Sequence, residues 1–406
     1  MVISLNLTQS VFLGVLVFLL GSFIVKKVPF LERYCIPAPV VGGLLFSIFH
    51  LIGVQTGTYS FTFDMALKDF FMIAFFCTIG FSASLKVIKA GGIAIGILFV
   101  ISSVMLVIQN VWGITIARLF GLNPLIGMCA GAISLMGGVG SSAAFAPIME
   151  QNGAAGGLTV AITSATFGLV MGGLVSGPIA KRLIEKRHLM TRQKSAGAKP
   201  EVDYSSLQVE DEVTTIEVKN MAMGFFQVVI AMGFGTLISQ LIAMTGMVFP
   251  AYVGAIFAAA IYLNLGEKFH WKIRKKEIEA FGNLFLNVFL AMTIMSLELW
   301  KLVSVAIPLI IILIGQVLLL ALFAYFIVFL VTGRDYDAAV ITAGFYGYAM
   351  GATPNAMASM SAVVTHYDRP SPKAFFTVPI VGGFLMDFAM AVLIMAHMNL
   401  ILQGVL

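Results

Sequence analysis

Two short runs in this sequence combine residue types that can hold a charged solute without a basic side chain. They are Gly137-Gly138-Val139-Gly140-Ser141-Ser142 and Gly351-Ala352-Thr353-Pro354-Asn355-Ala356, and each interrupts an apolar block. Glycine and proline break a helix and free backbone N–H and C=O groups. Helix N-termini exposed in this way can meet a carboxylate, while freed carbonyls and hydroxyls can coordinate Na⁺. Gly137, Gly138, Gly140, Ser141, Ser142, Thr353, Pro354 and Asn355 are therefore the candidate substrate-binding set. The candidate ion-binding set is Asp387, Gly351, Ala352 and Thr78. Asp387 stands about 20 Å along a helix from Lys373, near the middle of the last apolar block. A carboxylate at that depth is costly and points to cation coordination; the alternative is a protonated or hydrogen-bonded packing residue.

Enzyme chemistry finds little support. His50, His188, His270, His366 and His397 are scattered, with no HExxH pair, and there is no GxxxxGK[ST] phosphate loop. No catalytic residue and no organic cofactor are expected. No arginine stands at mid-depth, so a substrate's side-chain carboxylate needs amides, hydroxyls or helix ends. Gln109, Asn110 and Gln316 lie in long apolar stretches, and Asn283, Asn287 and Thr293 follow a basic loop; interhelical hydrogen bonding is the expected role of each. Cys35, Cys77 and Cys129 are far apart, form no CxxC, and read as packing residues.

The elements that must position these groups are membrane helices. Of 406 residues, 60% are apolar and 11% charged, against about 25% charged in soluble domains. The net charge of +5 comes from basic residues in short loops and does not point to nucleic acid. The first block has Lys26 and Lys27 after it and no basic residue before it, the reverse of a cleavable signal peptide. Twelve apolar blocks lie near 11–25, 38–55, 70–85, 92–120, 125–149, 158–180, 221–245, 249–263, 281–297, 302–332, 336–361 and 374–396. If all twelve cross, the basic clusters split between the two faces, against the positive-inside tendency. If 125–149 and 336–361 instead enter and leave by one face, ten crossings remain and 21 of the 24 Lys and Arg fall inside. Both termini then lie outside. Those two blocks are dense in Gly, Ser, Thr and Pro, as broken re-entrant segments are; small-residue helices packed closely on neighbours are the alternative.

The chain also repeats itself. Ile36-Pro37-Ala38 matches Phe249-Pro250-Ala251, and Gly53, Gly131, Gly138 and Ala143 match Gly266, Gly344, Gly351 and Ala356, all 213 residues apart. Five crossings per half force the second half to enter from the opposite side, the inverted-repeat plan of secondary transporters. The expected fold is thus an all-α integral membrane protein with two inverted-topology repeats of five transmembrane helices, each with a re-entrant hairpin. Residues 1–184 form the N-terminal repeat, 185–219 a polar cytoplasmic linker, and 220–406 the C-terminal repeat.

At these motifs the sequence resembles the bacterial sodium:glutamate symporter family. The resemblance is carried by IPAPVVGGLL at 36–45, FDMALKDFFMIAFFCTIGFSASL at 63–85 and QN at 109–110. It continues through GLNPLIGMCAGAISLMGGVG at 121–140, ATFGLVMGGLVSGPIA at 165–180, GATPNAMASM at 351–360 and VPIVGGFLMD at 378–387. It implies Na⁺-coupled uptake of L-glutamate across the bacterial cytoplasmic (inner) membrane by alternating access, and a homodimer in the lipid bilayer. The family's GGxGxG loop maps onto Gly137, Gly138 and Gly140 but ends here in Ser142, and Val139 and Phe345 stand where better-known members carry histidine. The other readings are a carrier of another small carboxylate or amino acid, one coupled to H⁺, and a passive channel.

Overall fold

The computed structural model describes residues 2–33, 36–86, 92–192, 218–244 and 251–404. Cys35, Lys89, the Phe249-Pro250 half of one repeat match and most of the linker, including Lys194 and Lys199, lie outside the described residues. A short parallel pair, β1 (Val2–Leu5) and β2 (Ser60–Phe63), joins the start of the chain to the loop after its second long helix. Everything else that bears on the site is helical. In chain order the helices are α1 (Leu7–Lys27), α2 (Ala38–Gln55), α3 (Ala66–Gly80), α4 (Gly92–Leu119), α5 (Pro124–Cys129), α6 (Ala132–Leu135), α7 (Gly138–Gln151) and α8 (Gly157–Lys186). They continue with α9 (Val218–Ala243), α10 (Ala251–Phe269), α11 (Lys275–Met295), α12 (Ala306–Val331), α13 (Tyr336–Ala349), α14 (Thr353–Tyr367) and α15 (Pro372–Leu402).

Eight of these, α1, α2, α4, α8, α9, α11, α12 and α15, are long and apolar enough to cross a membrane. This is a multi-pass membrane protein built of helices. The block expected at 70–85 is instead the 15-residue α3, which stops at Gly80. There residues 81–84 turn, and α10 receives the turn. Asn264 accepts from the Leu85 N–H at 2.9 Å and donates to the Ala83 carbonyl at 2.8 Å, while Ser84 donates to Glu267 at 2.7 Å. Those side chains answer the backbone groups a helix end leaves open. At the other end of the sequence pattern, α1 opens on a capping box between Asn6 and Gln9 and closes on Lys26 and Lys27, which suit the negative end of its dipole.

The helices sort by contact into two bundles. α1, α2 and α3 pack with α9, α10 and α11; α4 to α8 pack with α12 to α15. The first bundle is tied by close backbone approach. A Cβ on Gly42 would lie 1.9 Å from the Val17 carbonyl oxygen, so α1 and α2 touch only because that position is glycine. The α9–α10 pair repeats the device: a Cβ on Gly254 would lie 2.1 Å from the Gly235 carbonyl oxygen. In the second bundle α4 and α12 meet through amides. Gln316 donates to the Gln109 carbonyl at 2.7 Å, and Gln109 donates to the Ala349 carbonyl at 2.9 Å, while Asn110 accepts from the Ala132 N–H at 3.2 Å. These three residues bond between helices, as their positions in long apolar stretches suggest. Asn287, by contrast, bonds back to Asn283 on its own helix. Cys77 and Cys129 are free and buried.

Candidate functional site

Both segments singled out in the sequence are broken helices, and their breaks face each other. The first is three pieces, α5, α6 and α7, with Gly138 in the left-handed region at φ +64° where α7 begins. The second breaks once, between α13 and α14, where Ala352 is extended and Thr353 and Pro354 start α14. A Cβ on Gly138 would lie 2.7 Å from the Gly351 carbonyl oxygen, so the two backbones nearly touch. Asn355 fixes the second break to its neighbour by donating to the Leu169 carbonyl of α8 at 2.7 Å. Ser142 does the same for the first, donating to the carbonyls of Gly138 at 2.8 Å and Ala161 at 3.3 Å.

A cavity of about 250 Å³ lies at this meeting point. The N-terminal ends of α7 and α14 both open into it, through Gly137, Gly138, Gly140 and Ser141 on one side and Ala352, Thr353 and Pro354 on the other. Each end carries unpaired N–H groups and the positive pole of a helix dipole, the arrangement that binds a carboxylate. Asp387 supplies a carboxylate to the same cavity. It stands just after a π-helical turn of α15 (Val381–Leu385), and Gly382 and Gly383 of that turn also line the space. Phe75 and Phe76 of α3 and Leu286 and Leu290 of α11 form an apolar wall from the first bundle. No Lys, Arg or His lines the cavity among the described residues. A volume of this size with apolar walls and a few convergent polar groups suits a small solute.

Four residues of the candidate set do not line it. Ser142 and Asn355 are buried behind the breaks, where their bonds hold the shape of the site. Gly351 sits under Gly138 and offers its carbonyl there. Thr78 donates to the Phe75 carbonyl of its own helix at 2.7 Å and packs against Gly282 of α11. Of the two further departures from the family pattern, Val139 lines the cavity. Phe345 does not: it is fully buried, stacked on Phe323 with ring centroids 6.1 Å apart and edge-on to Tyr348 at 5.5 Å.

The lining residues that the sequence did not mark as site residues include the wall, Phe75, Phe76, Leu286 and Leu290, together with Ile79, Met136, Leu169 and the glycine pair at 382–383. The glycines carried a signal, since Gly172-Gly173 and Gly382-Gly383 match across the two halves after a three-residue slip. The wall carried none: one more phenylalanine in a chain with 34 does not announce whether it faces lipid or a cavity. A larger cavity of about 480 Å³ lies between Gly177–Glu185 and Ala362–Tyr367, lined by Lys181, Arg182, Glu185 and His366, and none of the candidate residues reaches it.

Residues 3–369 match the family model described as sodium/glutamate symporter. A sodium/glutamate symporter of Escherichia coli (strain K12) is 37% identical over 397 residues, covering 95% of each chain. One from Haemophilus influenzae is 37% identical over 393 residues, again covering 95% of each.

Proposed function

The chain belongs to the sodium/glutamate symporter family, and on that premise we propose that it imports L-glutamate by coupling it to Na⁺. The observation that carries the site is the convergence of two helix N-termini and one carboxylate on a single cavity without basic side chains. The substrate's carboxylates face the N–H groups of Gly138–Gly140 and of the start of α14, with the hydroxyls of Ser141 and Thr353 as further donors. Na⁺ sits on Asp387 and on backbone carbonyls at the break near Gly351 and Ala352, between that carboxylate and the anionic solute. Removing the ion leaves two negative groups facing each other in a space of low dielectric, so each species needs the other to bind.

The same reading extends to the topology. The helix bounds of the two halves run in parallel: α2 begins at Ala38 and α10 at Ala251, 213 residues apart, and α5–α7 correspond to α13–α14 as α8 does to α15. This supports two inverted repeats, 1–184 and 220–406, with re-entrant segments entering from opposite faces and joined by the 185–219 linker. α3 and α10 complete the ten crossings, both termini lie outside, and the linker is cytoplasmic. The protein resides in the bacterial inner membrane as a homodimer. Rigid motion of the bundle bearing the breaks against α1–α3 and α9–α11 opens the cavity to each side in turn.

Uptake of labelled L-glutamate into proteoliposomes, with and without an inward Na⁺ gradient, tests this. Saturable, concentrative uptake only with the gradient is expected. Equal uptake in both conditions removes Na⁺ coupling, and uptake that merely equilibrates indicates a channel. Asp387→Asn is expected to raise the half-saturating Na⁺ concentration at least tenfold; an unchanged value removes Asp387 from the ion site.

A further inference from the structure

Gln109 and Asn110 are neighbours on α4, a helix that runs unbroken from Gly92 to Leu119, and both side chains are fully buried. Each holds the main chain of a different broken segment. Gln109 donates to the carbonyl of Ala349, the last residue of α13, at 2.9 Å. Asn110 accepts from the N–H of Ala132, the first residue of α6, at 3.2 Å. From each point a short run of main-chain bonds leads to the site. The Ala132 carbonyl accepts from the N–H groups of Met136 and Gly137 at 3.2 and 3.1 Å, and both of those residues line the cavity. On the other side the carbonyl of Tyr348, the residue before Ala349, accepts from the Gly351 N–H at 3.4 Å. The two paths meet again where Gly138 faces the Gly351 carbonyl. Two outer ties keep this ring in place: Gln316 of α12 donates to the Gln109 carbonyl at 2.7 Å, and Ser102 of α4 meets the Tyr348 hydroxyl at 2.5 Å.

A break inside an apolar bundle leaves helix-end carbonyls and N–H groups open, and side chains of a neighbouring helix can answer them. Satisfying those groups does not require that adjacent residues of one helix serve both breaks. The adjacency has a geometric result: a single rigid helix sets the separation and register of the two segments whose ends form the site. We infer that Gln109 and Asn110 are positioning residues, which together align the two breaks so that the N-termini of α7 and α14 point at one solute. Neither side chain lines the cavity, so both act through the backbone they hold. This rests on the reading of those helix ends as the glutamate site and adds what keeps them in register. Loss of either bond leaves one break free to shift against the other, so the pair works as one clamp.

Gln109→Met and Asn110→Leu test it, since each stays close to the shape of the original side chain and deletes its hydrogen bond. In proteoliposomes the glutamate KM at saturating Na⁺ is expected to rise about tenfold in each, the scale of one lost hydrogen bond, with the maximal rate per folded molecule within about twofold of the parent. The double variant is expected to show no larger a rise than the greater of the two singles, because either loss already frees the breaks. An unchanged KM in either single, whether or not the maximal rate falls, overturns the inference and leaves that amide a structural role. Rises that multiply in the double variant also overturn it, by showing that each break is held on its own. Gln109→Asn and Asn110→Ala, too short to span the same bonds, stand in for either variant if it does not fold, with the same outcomes. Absence of saturable glutamate uptake by the unaltered protein defeats the underlying reading instead.

Discussion

At the scale of single residues, Gly138 is the position on which the site turns. Its φ of +64° is one that residues with a Cβ adopt at a cost of about 1–2 kcal/mol. Any Cβ there also meets the Gly351 carbonyl oxygen at 2.7 Å. Gly138→Ala is therefore expected to lower glutamate uptake at least tenfold while the protein still folds; uptake within twofold of the parent would show that the close approach of the breaks is not needed. Asp387 and the two Gly-rich runs were legible in the sequence for a local reason. A charge inside an apolar block, or glycine and proline inside a helix, is an exception to its surroundings whatever the tertiary structure. Thr78, also chosen from its type, bonds instead to its own helix, because a threonine in a helix has a backbone carbonyl within reach one turn back. Phe76 and Leu286 were not legible. Their function depends on which neighbour faces them, and that is set by packing between helices far apart in sequence.

At the scale of elements, most helices followed from apolar run length and flanking lysines, but their ends followed from particular contacts. α3 stops at Gly80 because Asn264 and Glu267 of α10 take over the backbone and hydroxyl of the turn that follows. The segment expected at 125–149 is three helices, because Gly131 and Gly137 each stand at the N-cap where a new piece begins. Helix pairing in the first bundle rests on glycine. Gly42→Ala would place a methyl 1.9 Å from the Val17 carbonyl and force α1 and α2 apart. Overpacking of this kind costs about 1–3 kcal/mol, and the thermal midpoint in detergent is expected to fall by several degrees. Gly57→Ala serves as a comparison for glycine loss as such, since no atom lies within 4 Å of a Cβ there, although its φ of +66° carries its own strain. A midpoint for Gly42→Ala no lower than that of Gly57→Ala would mean that the α1–α2 contact is not a source of stability.

At the scale of the whole molecule, the two bundles share one continuous buried core near the site, so motion between them must shift packed side chains. Phe257 and Phe388 are one such contact, with ring centroids 5.0 Å apart. Cysteines at both positions, joined by a short bifunctional reagent, are expected to stop uptake, and a reducible version of the reagent is expected to restore it on reduction. Full uptake with the cross-link formed would show that the bundles need not move there. On the proposed reading, the absence of Lys, Arg and His from the cavity lining among the described residues has an electrical consequence. Glutamate carries one net negative charge and Asp387 a second, so only incoming cations can neutralise the loaded site. If the proposed site takes two Na⁺, the loaded bundle is a neutral body and the empty one carries the charge of Asp387 back alone. The resting voltage, inside negative, then does its work on the empty return, at about 2.3 kcal/mol per charge for each 100 mV. A protein that held its substrate with arginine would lose that pull, because its empty form would have no net negative charge for the field to drive outward.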